Sequence, residues 1–166
     1  ISPVTPGDAR AAIGRKVFVQ AGCVRCHGGA NWTTSRVEFP PPPPSSALVA
    51  ELGVNQLVGQ LQKVGTFDAG KKHEVVGTGA NISKQALGTS GYNVPSLRGI
   101  HALGPYLHDG SAVNLAEVLL VPSHVGTSPL LGSAVKRSQL IQFLRSIDDS
   151  TPPASVPAGR ETLDLP

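Results

Sequence analysis

Cys23-Val24-Arg25-Cys26-His27 decides how this chain is read. Cys-x-x-Cys-His is the spacing of a c-type haem attachment site. Two thiols one helical turn apart can both form thioethers to the vinyl groups on one edge of a porphyrin. The adjoining imidazole then swings under the ring and binds the iron as proximal ligand. Cys23 and Cys26 are the chain's two cysteines, and the expectation is one covalently attached haem c. A redox dithiol would want a βαβ context, which the sequence lacks. A structural zinc site would want four ligands, which two cysteines cannot easily supply.

Working outward, 166 residues suit one domain, and 19 Gly with 15 Pro point to many turns and irregular segments. A porphyrin would supply the apolar filler that so loop-rich a chain needs. A net charge of +3 and a pI of about 9.1, with no dense Lys/Arg run, give no argument for nucleic acid. No stretch of about 18 apolar residues is present, so no membrane span is expected. Attachment of c-type haem normally follows export, which places the protein in the bacterial periplasm or outside the cell. The chain has no Met and no signal peptide at Ile1, as expected of a mature product or of a piece of a longer polypeptide.

The hydrophobic pattern predicts a helix over 9–20, capped from Pro6-Gly7-Asp8, with Ile13, Val17 and the Ala positions inward. Gly28-Gly29 ends the haem-motif turn. A Pro-rich loop spans 33–46, and the run Pro40 to Pro44 reads as an extended spacer. Trp32 reads equally as a neighbour of the haem edge or as an ordinary core tryptophan. Ser45-Ser46 introduces a short helix over 47–52, with another turn at 55–60. Residues 65–91 are irregular, with Lys71-Lys72-His73 as a basic knot. Asn114 caps a helix over 115–120 that Pro122 stops, and 122–133 reads as a loop. A last helix follows Ser133 over 136–147, with Leu140, Ile141, Leu144 and Ile147 on one face. The fold class is all-α: a c-type cytochrome domain over 1–149, short helices and long loops around one haem. An extended tail covers 150–166.

Val94-Pro95-Ser96-Leu97-Arg98-Gly99, then Gly104-Pro105-Tyr106-Leu107-His108-Asp109-Gly110-Ser111, then a Leu-x-Glu-Val helix, carry a resemblance. Together with the helix into Cys23–His27 and the last helix, they resemble the C-terminal haem domain of the bacterial di-haem cytochrome c peroxidases. MauG-type enzymes and di-haem rubber oxygenases belong to the same wider group. The resemblance implies an electron-transferring haem, the peroxide-handling haem of such enzymes lying in an N-terminal partner domain. This chain has one Cys-x-x-Cys-His and so lacks that half.

The family's distal Met has no counterpart here, which rules out His/Met ligation. Pro122 falls near the position of that Met, and His124 just after it is the expected distal ligand. His73 is the alternative. The resemblance implies that His108 lies close to the haem without binding iron. Arg98 is a candidate partner of a haem propionate, or else forms a surface ion pair. His101 is unassigned.

Two functions compete. One is an electron carrier with a six-coordinate, bis-His haem, working with a redox partner protein or with other haem subunits of a larger assembly. The other is a haem enzyme, peroxidase or oxygenase, with an open distal position. It would need a distal acid–base pair that the sequence does not reveal.

Overall fold

The computed structural model describes residues 7–35, 62 and 91–157. The run Pro40 to Pro44, the helices expected over 47–52 and 55–60, the Lys71-Lys72-His73 knot with its alternative ligand, and residues 158–166 lie outside the described residues. Among the described residues the structure is helical, with two isolated bridges and no strand. Five α-helices are present there: α1 (Ala9–Gln20), α2 (Val24–His27), α3 (Leu115–Val118), α4 (Pro122–Val125) and α5 (Ala134–Leu144). Ile100–Ala102 and Pro129–Gly132 form 3-10 turns. The expected all-α class holds.

α1 starts where the sequence indicated. The Asp8 carboxylate accepts from the Arg10 and Ala11 amides at 2.6 and 3.3 Å, satisfying two otherwise unpaired donors. Its buried face differs from the expected one: Ala11, Gly14, Val17 and Phe18 are buried and Ile13 is exposed. The cause is the crossing with α5. A Cβ on Gly14 would overlap the Gln139 carbonyl oxygen, so only glycine lets the two helices touch there. That contact fixes the rotation of α1 and turns Ile13 outward.

α5 begins at Ala134, two residues before the expected start, with the Ser133 hydroxyl accepting from the Lys136 amide at 3.4 Å. It ends at Leu144, and Ile147 is buried beyond it. Leu140 and Leu144 face inward as expected, while Ile141 is partly exposed and Phe143 takes the core position. Phe143, Phe18 and Trp32 form a triad of edge-to-face rings with centroids 5.4–5.8 Å apart. Trp32 reaches this place by adopting φ 56°, a left-handed turn that costs of order 1–3 kcal/mol for a residue with a side chain.

Residues 150–157 of the expected tail lie against the body. Arg15, whose guanidinium stacks near Trp32 and Phe143, donates to the Pro152 and Pro153 carbonyls at 2.7 and 2.8 Å. Gly29 N–H donates to Ala154 O at 2.8 Å, and Ala154 lies in the core cluster. Residues 152–157 thus form a strap across the residues that follow His27.

Asn114 caps α3, its side chain accepting from Glu117 N–H at 3.1 Å while Glu117 answers with bonds to Val113 N–H and the Asn114 amide group. α3 is shorter than expected, ending at Val118. The loop expected over 122–133 is instead α4 plus a 3-10 turn. Pro122 does not merely stop a helix. It stands at the first position of α4, where its missing N–H costs nothing, and Val121 O accepts from His124 and Val125.

Candidate haem site

α2 is a single turn, and its amides close on Cys23: Cys26 N–H and His27 N–H both donate to Cys23 O. That turn brings Cys23 and Cys26, three residues apart, onto neighbouring positions of one face. Thr34 ties the motif down, donating from both its amide (2.9 Å) and its hydroxyl (3.0 Å) to Cys26 O. The segment 94–98 is stitched alongside, with Thr33 Oγ1 donating to Val94 O at 2.7 Å and Ser96 Oγ to Asn31 O at 2.6 Å.

His27 Nδ1 lies 3.1 Å from the Pro95 carbonyl oxygen. A carbonyl can only accept, so Nδ1 carries the proton and Nε2 holds the free lone pair. Burial, with the neighbouring His124 adding to it, lowers the His27 pKa to about 4, against the pull of the Pro95 and Trp32 carbonyls. The ring is therefore neutral at physiological pH with Nε2 ready to bind a metal. Pro95 is the residue that reading the sequence missed. It acts through its backbone carbonyl, which no side-chain pattern can report.

Cys23 behaves unlike a redox thiol. Burial pushes it up to about 11, outweighing a backbone hydrogen bond that favours the thiolate. Attacking thiols and thiolate metal ligands need the opposite shift. Among the described residues no three His, Cys, Asp or Glu side chains gather as a metal-ion site.

His124 comes from α4 and meets His27. The ring centroids are 6.2 Å apart and the ring planes stand at 78°. Two histidine rings this close, beside Cys23 and Cys26, form a donor set that would suit a haem iron. His124 is half-buried and its pKa is lowered by that burial, with the Val118 carbonyl acting in the opposite direction.

No protein-family model and no curated protein matches the chain. Among solved structures it is similar to hydrazine synthase from Kuenenia stuttgartiensis, in a form pressurized with xenon. The identity is 22%, the TM-score 0.49, and the match covers 88% of this chain and 50% of that one. The chain therefore spans about half the length of that structure. A likeness at this level leaves function to be argued from the chain's own residues.

The other expected site residues are scattered. Trp32 is fully buried and belongs to the core triad. Arg98 donates to Ala30 O at 2.8 Å and pairs with Asp149 at 3.2 Å on the surface. His108 is exposed and stacks on Tyr92, ring centres 4.1 Å apart. His101 lines a separate cleft with Tyr106, Leu115, Ile141 and Arg145. No described helix is long and apolar enough to cross a membrane.

Proposed function

We propose that this chain is a mono-haem c-type cytochrome that carries electrons, in which Cys23 and Cys26 would hold the porphyrin and His27 and His124 would bind its iron. One observation carries the reading: the 6.2 Å spacing of the two imidazoles, one of them oriented by the Pro95 carbonyl. When bound, the haem supplies the ferric/ferrous couple. The chain's own residues tune it. Two imidazoles favour ferric iron more than an imidazole and a thioether do, so the potential lies below that of a His/Met cytochrome. The hydrogen bond from His27 Nδ1 to Pro95 O makes that ring a stronger donor and lowers the potential further.

Were both imidazoles to bind the iron, the protein would move electrons and leave bond chemistry to partners. Those partners are a redox protein or other haem subunits of a larger assembly. The need for haem attachment after export makes the site of action periplasmic or extracellular.

The test is His124→Ala in the ferric holoprotein. The absorption spectrum is expected to change from low spin to high spin and to return to low spin on adding imidazole. A spectrum that His124→Ala leaves unchanged, but His73→Ala alters, would move the distal ligand to His73.

A further inference from the structure

The cleft beside His101 is lined by none of Cys23, Cys26, His27 and His124, so it stands apart from the haem site. Its volume is about 470 Å³, inside the range of roughly 300–1,000 Å³ that small-molecule sites occupy. Its walls are set before any ligand arrives. Gly99 N–H donates to Ile147 O at 3.0 Å, which holds the 3-10 turn carrying His101 against the chain leaving α5, where Arg145 stands. Tyr106 is fixed three times. Its amide donates to Ala112 O at 2.7 Å, its carbonyl accepts from Ala112 N–H at 3.4 Å, and its hydroxyl donates to Ile100 O at 3.0 Å. The hydroxyl is thus already engaged, and the ring serves the cleft as apolar wall.

Two kinds of surface meet here. Leu115 is buried and Ile141 half-buried, while Val113 is 73% exposed, an apolar side chain left in water at a wall of the cleft. Against them stand Arg145 and His101. A guanidinium is charged at any working pH and carries five N–H donors, more than a single partner can take up. His101 Nδ1 touches no solvent and has no hydrogen-bond partner, a state that costs stability until something bonds it. No acidic side chain is among the described residues that line the cleft. Glu117, the nearest along the chain, commits its carboxylate to Val113 N–H at 2.7 Å and to the Asn114 side chain at 2.8 Å. A simple inorganic anion would leave the apolar walls wet, and a hydrocarbon would leave the guanidinium without a counter-charge. A carboxylate on an apolar body satisfies both, because its two oxygens match the paired donors of an arginine.

We propose that this cleft binds a small organic carboxylate, its charged head on Arg145 and His101 and its apolar body on Tyr106, Val113, Leu115 and Ile141. The ligand binds without any bond being made or broken, and the haem is not involved.

Benzoate titrated into the holoprotein by calorimetry tests this, with the haem absorption spectrum followed in parallel. Saturable binding in the millimolar range or tighter is expected, with the haem spectrum unchanged. Acetate, which has the head without the body, and benzyl alcohol, which has the body without the charge, are each expected to bind at least about tenfold more weakly. Arg145→Gln is expected to weaken benzoate by about tenfold or more. Should that variant not fold, Val113→Asp sets a negative charge on the cleft from an exposed position and is expected to have a similar effect. Benzyl alcohol binding as well as benzoate, or inorganic phosphate competing as well as benzoate, would overturn the carboxylate class. Benzoate affinity kept in Arg145→Gln, or in Val113→Asp, would place the ligand elsewhere. A haem spectrum that shifts in step with the heat would put the anion at the iron and overturn the proposal, as would the absence of saturable binding.

Discussion

The region that holds His27 and the region that presents His124 are built differently. The first draws on distant parts of the chain: α1 crosses α5 at Gly14, Trp32 fills the triad, 94–98 pairs with 31–35, and the strap 152–157 is clamped by Arg15. The second makes its hydrogen bonds locally, chiefly Asn114 with Glu117 and the Val121 carbonyl with the turn after it. Leu115 and Leu119 of this region reach the core, but α4 itself buries no residue. The same side chain thus sits in two settings: the His27 ring is tied to the Pro95 carbonyl on a cross-braced frame, and the His124 ring stands on a single turn.

The sharpest way to break this contrast is to truncate one residue in each region. Phe143→Ala removes the shared ring of the triad and is expected to cost about 3–5 kcal/mol of stability in denaturant titrations. Val125→Ala is expected to cost no more than about 1.5 kcal/mol, since that side chain is only partly buried. Equal losses would mean the two regions are braced alike.

An intermediate effect is expected in the haem-free chain as pH falls. His27 has a folded-state pKa of about 4, below its ordinary 6.5, so the unfolded chain takes up the proton first. The contribution is fully present above pH 6.5 and is lost as pH falls from there toward 4. His124 is shifted in the same direction by its burial. Unfolding midpoints measured across that window are expected to drop, and His27→Ala is expected to flatten most of the slope. An unchanged slope in His27→Ala would remove His27 from the neutral state assigned to it.

The smallest effect belongs to the cap of α3. Asn114→Ala is expected to cost about 1 kcal/mol, within the range for loss of a helix cap. Denaturant titrations check this, and no loss of stability would mean that Asn114 does not hold the start of α3.

Much of this was legible in the residues and some was not. Cys23–His27 carried its own chemistry in its spacing, and Asp8, Asn114 and Ser133 marked helix starts because a cap is a local hydrogen bond. The inward face of α1 was misread because it is set by Gly14 meeting a carbonyl of α5, a contact 125 residues away in sequence that hydrophobic periodicity does not encode. α4 was taken for loop because Pro122 reads as a stop, and a proline at the first helical position looks the same in sequence. The Arg15 latch on the strap and the Pro95 carbonyl on His27 are side chain-to-backbone bonds across the chain. Neither acceptor depends on residue type, so neither leaves a signature. His124 was singled out through the position of a missing Met, which points to a place in the chain but not to a geometry.

The most direct measurement is the low-temperature EPR spectrum of the ferric holoprotein as purified. Two imidazoles on one iron predict a low-spin signal with no high-spin component. A dominant high-spin signal, from iron with five ligands or with water as the sixth, would contradict the pairing of His27 with His124.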